Sequence, residues 1–175
     1  MPASNSVEIT SSSSASKSLG LVGRYVYICY KVPKDKTAAF HFDFIMQDKN
    51  SCRLTLTTLT TGVKEKRESN PMLPLEATGR WTIHCVDLDY AFMELKAYPK
   101  TNLIRKYKFE LTAITLCAES YVRGIYTSDN LYNLQVMPKE INFRRPQQGT
   151  WEENYAIKYY PVMLSKESLK YVEQI

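Results

Sequence analysis

Apolar and polar positions alternate along much of this chain, and the alternation predicts strands. The clearest case runs from Ala39 to Gln47. Phe40, Phe42, Phe44 and Met46 share one side, and His41, Asp43, Ile45 and Gln47 share the other. A turn at Asp48-Lys49-Asn50 follows, and Cys52-Arg53-Leu54-Thr55-Leu56-Thr57 alternates again, which predicts a hairpin with one buried face per strand. Upstream, Arg24 to Val32 reads R-Y-V-Y-I-C-Y-K-V, a strand with β-branched and aromatic residues on both faces. Gly20 and Gly23 precede it and mark a sharp turn or a close approach. Pro33-Lys34-Asp35-Lys36 reads as a basic turn.

Phe109 to Tyr132 carries two further apolar runs separated by Glu119-Ser120 and closed by Thr127-Ser128-Asp129-Asn130. They predict consecutive, central strands. Arg80 to Cys85 predicts another strand, with Trp81, Ile83 and Cys85 on one face. Asp87 is placed to cap a short helix that buries Leu88, Ala91, Phe92 and Leu95 and is bounded by Pro99. Residues 60–79 read as loop, with a charged run and Pro71 and Pro74. Met137 to Phe143 reads as extended, and Trp151 to Tyr160 as a last strand with Tyr155, Ile157 and Tyr159 on one face.

Seven to nine short strands and one helix predict an all-β fold, a β-sandwich or jelly-roll-like domain with one short α-helix, over residues 18–161. The period-two spacing predicts one core between two sheets, made of Phe40, Phe42, Phe44, Leu54, Leu56, Trp81, Ile83, Leu116 and Ile125. Residues 1–17 form a flexible Ser-rich leader in this reading, although Val7 and Ile9 suit a short edge strand. Residues 162–175 form a tail with helical character over Lys166 to Gln174.

Composition changes this picture little. The length of 175 residues fits one domain, and a 44% hydrophobic fraction is ordinary for a globular chain. The net charge of +5 is a mild bias towards acidic partners. No apolar stretch has the length of a signal core or a membrane span, so the expectation is a soluble intracellular chain with no membrane partner. Cys29, Cys52, Cys85 and Cys117 lie in separate apolar runs without a C-x-x-C pair, which predicts buried free thiols in a reducing compartment.

Catalytic chemistry is poorly represented. His41 and His84 are the sole histidines. His84 cannot pair with Cys85, because neighbouring strand residues point to opposite faces; Cys29, Cys52 and Cys117 stay open as partners. The spacing of histidines and cysteines supplies no metal site, and no phosphate loop or nucleophile elbow occurs. Asp87 with Asp89, and Glu152 with Glu153, read as a cap and a solvated strand end rather than as a glycosidase pair. No cofactor is expected. The basic residues say more. Lys96, Lys100, Arg105, Lys106 and Lys108 crowd the end of the helix and the loop after it, with Tyr98 and Tyr107 interleaved, and Arg144-Arg145 follows an extended segment. Such a set is either a solvated rim or a surface for an acidic protein or a nucleic-acid backbone.

Four segments, taken together, carry a resemblance. They are S-L-G-L-V-G-R-Y-V-Y (Ser18–Tyr27), R-W-T-I-H-C-V-D-L-D-Y (Arg80–Tyr90), L-C-A-E-S-Y-V-R-G-I-Y-T-S-D (Leu116–Asp129) and M-P-K-E-I-N-F (Met137–Phe143). In this order they resemble the domain family of cilia- and flagella-associated protein 20. The nearer likeness is to its centriolar members in which a WD-repeat propeller follows the domain; there a segment like Gly149–Tyr155 also recurs. The resemblance covers roughly residues 18–161. It implies a β-sandwich with one helix, no enzymatic activity, and a microtubule-associated role at the inner junction of axonemal doublets or centriolar triplets. The implied partners are tubulin and other inner-junction or centriole-scaffold proteins; the implied location is the cytoskeleton of a centriole, basal body or axoneme.

Two departures stand out. Family members carry strands ahead of the Ser18–Tyr27 segment, where this chain has the Ser-rich leader, so the sandwich is expected to lack an edge strand or the chain to be truncated. No WD-repeat propeller follows, which reads as a fragment or a short paralogue. The resemblance fixes no contact residues. On charge alone the microtubule contacts fall on Lys96, Lys100, Arg105, Lys106, Lys108, Arg144 and Arg145. The alternatives are a lectin-like carbohydrate-binding sandwich and a single-stranded nucleic-acid-binding module.

Overall fold

Period-two alternation resolves into two packed sheets. The computed structural model describes residues 6–11, 18–46, 49–61, 64–65, 70–94, 108–132, 137–138 and 156–160. The strands, in chain order, are β1 (Ser6–Ile9), β2 (Leu21–Val22), β3 (Tyr25–Lys31), β4 (Ala38–Met46), β5 (Ser51–Thr57), β6 (Lys64–Glu65), β7 (Pro71–Pro74), β8 (Thr82–Asp87), β9 (Phe109–Ala118), β10 (Tyr121–Ser128) and β11 (Ala156–Tyr160). One wide helical turn, α1 (Tyr90–Glu94), follows β8. The seven-stranded sheet runs β1-β9-β4-β5-β7-β6, with β2 also paired to β9; the four-stranded sheet runs β10-β3-β8-β11. The chain is thus an all-β sandwich, with a single short helix among the described residues.

The β4–β5 hairpin forms in the expected register, Phe42 opposite Leu54 and Phe44 opposite Cys52. Lys49 takes φ 68° in the turn, and the amide of Met46 donates to the carbonyl of Asn50 at 2.9 Å. Phe40, Phe42, Phe44 and Met46 are buried, and Ile45 on the other face is exposed. Asp87 caps the helix as its position suggested, accepting from the Tyr90 amide at 3.3 Å. Leu88, Ala91 and Phe92 are buried beneath it. Phe92 stacks on Phe109 at 5.4 Å and meets Phe44 edge-on at 5.9 Å, which fastens the helix to the larger sheet. Tyr30 and Phe40 make a similar edge contact between the sheets at 5.7 Å.

β9 is the spine of the larger sheet. β4 lies on one side, and β1 and β2 share the other, pairing with its far and near halves. The Val7–Ile9 segment is therefore an edge strand inside the span read as leader. A bulge at Thr112 shifts the β4–β9 register, and side chain and backbone both compensate for it. The Thr112 hydroxyl donates to the Asp43 carbonyl and the Leu19 amide donates to the Thr112 carbonyl, each at 3.0 Å.

The structure corrects several expectations. Residues 60–79 include β6 and β7; β7 pairs parallel with β5, and its two prolines stand at its ends, so they bound the strand rather than interrupt it. Glu119-Ser120 is a corner between the sheets, and among the described residues β10 is an edge strand rather than a central one. Its apolar residues are covered by different layers: Val122 and Ile125 pack on the central core, Tyr126 on a second cluster. Trp81 and Ile83 belong to that second cluster, not to the core between the sheets. The reason is the parity of β8, which turns Val86 inwards and Ile83 and Cys85 outwards. Eleven strands occur among the described residues, more than the expected number, because three of the additions are short edge or loop strands. The tail after residue 161 lies outside the described residues.

Phe42 is fully buried between Leu54 and Ile114 in the cross-strand ladder. Phe42→Ala should cost about 3–5 kcal/mol in urea melts. A loss below about 1 kcal/mol would contradict its central position.

Candidate functional site

β3, inside the smaller sheet, is buried on both faces, and this follows from its sequence. Val26, Ile28 and Tyr30 point into the sandwich, while Tyr27 and Cys29 point away from it. An apolar outer face must be covered. It is: Tyr27, Cys29, Ile83 and Cys85 form a second cluster with Met137, flanked by Tyr25, Trp81, Tyr126, Leu131 and Tyr132. All four of the segments singled out in the sequence contribute to it, and Cys29, Leu131 and Tyr132 come from just beyond them.

One hydroxyl pins the cover. Tyr27 is fully buried, and its hydroxyl donates to the Asn130 carbonyl at 3.0 Å while accepting from the Tyr132 amide at 2.8 Å. The two rings lie 6.0 Å apart. Gly23 is the second fixed point. A Cβ there would lie 2.6 Å from the Ser128 amide nitrogen, so no side chain fits where the start of β3 crosses the end of β10. Beside this crossing lies an open groove of about 340 Å³, lined by Leu21, Ile125, Tyr126, Thr127, Ser128, Tyr132 and Pro138. Its lining is largely apolar, the polar groups of its side chains are the hydroxyls of Tyr126, Thr127, Ser128 and Tyr132, and it holds no carboxylate or imidazole.

A charged clasp closes the sheet at the same end. Arg24 grips Asp87 through Nε at 3.1 Å and Nη2 at 2.6 Å, and reaches Asp89 at 3.3 Å. Its guanidinium also sits 5.2 Å from the Tyr25 ring centre. The hydrogen bond to Asp87 holds Arg24 well above its usual range, whereas burial pushes Asp89 upwards in spite of Arg24. The aspartate pair is therefore structural: one caps and pairs, the other is half-sheltered beside the same arginine.

The smaller sheet separates His84 from Cys29 and Cys85, whereas His41 and Cys117 share the outer face of the larger sheet. Burial pushes the Cys85 thiol up to about 12, only partly offset by the Tyr27 hydroxyl, so it stays protonated at neutral pH. Cys29 faces Ile83 and Cys85 faces Tyr27 across the β3–β8 ladder. The two are diagonal neighbours, with Cα atoms roughly 7–8 Å apart, beyond ordinary disulfide reach. His84 pairs with Ile28 on the inner face, opposite to Cys29. His41 lies on the outer face of the larger sheet, its Nδ1 2.9 Å from the Thr55 hydroxyl, and burial and then Arg53 lower its pKa. Among the described residues no three metal-ligating side chains converge, and no helix is long and apolar enough to cross a membrane.

Of the residues expected to contact microtubules, Lys108 is exposed immediately before β9. Lys96, Lys100, Arg105, Lys106, Arg144 and Arg145 lie outside the described residues. The sequence reading missed the doubly buried β3 and its cover as a site. The signal was present in the two-sided apolar pattern of β3, but the covering residues are about a hundred positions away.

The family profile described as CFA20 domain matches residues 1–145. WD repeat-containing protein 90 of Xenopus tropicalis is 26% identical over 95% of this chain and 11% of its own length. The mouse protein of that name is 28% identical over 94% of the chain and 10% of its own length. Centriole proteome protein 16 of Chlamydomonas reinhardtii is 29% identical over 71% of the chain and 6% of its own length. The chain thus spans about a tenth, or less, of the curated relatives it matches.

Tyr27→Phe removes one hydroxyl and leaves two backbone groups without their partner, so it should destabilise by about 1–3 kcal/mol. Faster hydrogen exchange at the Tyr132 amide would show that the loss arises at the cover; unchanged exchange would contradict the pinning role. Separately, unreduced protein should give four alkylated cysteines after unfolding, matching four free thiols. A mass two protons lower, with two cysteines unmodified, would reveal a disulfide instead.

Proposed function

The chain belongs to the CFA20 domain family, and on that premise we propose that it is a non-enzymatic microtubule-binding domain of a ciliary or centriolar protein. Its place is the inner junction of doublet or triplet microtubules, in a centriole, basal body or axoneme. The observation that carries this reading is the family match over residues 1–145, joined to relatives of which one is named as a centriole proteome protein. That combination supports an association with cilia or centrioles. Tubulin is the partner proposed, with other inner-junction or centriole-scaffold proteins beside it.

The physical route is electrostatic. Tubulin is strongly acidic, and this chain carries a net charge of +5. Binding through basic residues falls as salt screens it. A scaffold of two sheets, with the Cys85 thiol buried and protonated, suits holding a partner rather than turning over a substrate.

Co-pelleting with taxol-stabilised microtubules over a salt series tests the reading. The protein should pellet at low salt and be released as salt rises; protein left in the supernatant at low salt counts against microtubule binding. Reversing Lys100, Arg105 and Lys106 to Glu should weaken pelleting about tenfold. The circular dichroism should not change, because surface charges contribute little to stability. A folded triple variant that pellets like wild type would move the contact to Arg144-Arg145 or to the Lys34-Lys36 turn.

A further inference from the structure

The fold assembles a cationic and aromatic surface that the linear sequence does not display. Tyr121 of β10 pairs with Lys31 of β3. On the other side of β3, Tyr30 pairs with Thr82. Lys31 and Trp81 therefore come next in the same register. The result is a row, Tyr121–Lys31–Trp81, across three strands on the outer face of the smaller sheet. Tyr121 is 62% exposed. Lys31 and Trp81 are half-buried.

Further cations gather around this row. The Lys34 side chain lies against Gly79, at 3.5 Å from a Cβ built there, and the Gly79 amide donates to the Val32 carbonyl at 2.9 Å. This brings exposed Arg80 beside the β3–β4 turn. Arg123, also exposed, is the extra residue of the β10 bulge, one step beyond the pair Val122–Tyr30. Lys36 is held to Glu119 at 2.8 Å. Asp35 lies between Lys34 and Lys36 in the turn, and Glu76 lies near Tyr30.

From this juxtaposition we infer that the Tyr121–Lys31–Trp81 row, with Lys34, Arg80 and Arg123, docks an acidic, extended polypeptide segment. Cations supply attraction that is lost in salt, and rings beside them cover the aliphatic stems of glutamate side chains. The Glu119 and Asp35 carboxylates set among these cations argue against nucleic acid. A phosphate backbone presents a charge at every nucleotide and would meet them, whereas single glutamates of a flexible peptide can be placed away from them. The inference deepens the microtubule reading, because it names the kind of partner segment that this domain would hold.

Fluorescence anisotropy with a labelled glutamate-rich peptide tests it, with a labelled oligouridylate as the second probe. The wild-type chain should bind the peptide in a salt-sensitive way. The double reversal Lys31→Glu with Lys34→Glu should weaken binding about tenfold, and Tyr121→Ala about threefold. Lys49→Glu, in the β4–β5 turn at the far end of the nine-residue β4 and roughly 30 Å away, should change nothing. The inference is overturned if the wild type does not bind the peptide, if a folded double reversal binds it like wild type, or if oligouridylate binds more tightly than the peptide. Microtubule pelleting run alongside separates the two readings. Peptide binding lost in the double reversal, with no pelleting of wild type, supports this surface and removes the tubulin reading. Wild-type pelleting without any peptide binding does the reverse.

Discussion

β3 is buried on both faces, and the arrangement of the molecule depends on that constraint. A strand covered on one side can close a sandwich with water on its back. Here the inner residues Val26, Ile28 and Tyr30 complete the central core, while Tyr27 and Cys29 demand a second cover. The chain supplies it with Leu131, Tyr132 and Met137, beyond the end of β10. A cover made of irregular chain must satisfy its own backbone groups. The Tyr27 hydroxyl does so from inside the sheet, serving one carbonyl and one amide at once. Burial of an aromatic ring and satisfaction of a loop are thus a single interaction.

The larger sheet meets a different constraint. β9 is long, and one of its edges is left to short pieces of chain. β1 and β2 take its two halves, and the Leu19 amide fills the gap between them by bonding to the bulged Thr112. The bulge adds a residue without orphaning its neighbours, since the Thr112 hydroxyl reaches the Asp43 carbonyl. Bulges and very short edge strands are also how sheets avoid pairing with other chains. The second bulge, at Arg123, lies on the edge strand of the smaller sheet and places a cation there. At the other end of that sheet, Arg24 joins the entry of β3 to Asp87, which also starts the helix. These devices fix the corners of the sandwich, and between them the described residues leave broad surfaces rather than a reactive cleft.

Much of the fold was legible because period two is a local property. The faces of β4 and β5, the Asp87 cap, the buried Leu88, Ala91 and Phe92, and the two faces of β3 could be read from a few neighbouring residues, and the geometry agrees with each. Gly20 and Gly23 were flagged as a turn or a close approach; Gly20 takes φ 66°, and Gly23 meets the backbone of Ser128. The four segments that carry the family likeness were also readable in order, and the family match bears them out.

Alternation, however, says that a strand has two faces without saying what each face meets. That is why Trp81 and Ile83 were assigned to the wrong layer: only the pairing of β8 with β3 decides which parity points inwards. β10 looked central because its apolar content matches that of β9, yet two separate layers cover it and no strand among the described residues pairs with its other edge. β7 was hidden because its prolines look like loop residues until β5 is seen beside it. The candidate surface follows the same rule. Lys31, Arg80, Trp81 and Tyr121 are scattered over ninety positions and become neighbours only through strand register. The sequence by itself determined the longer strands, the two faces of each and the family; tertiary pairing alone decided the short strands, the layers and the surface, because register is a contact between distant segments that no local pattern encodes.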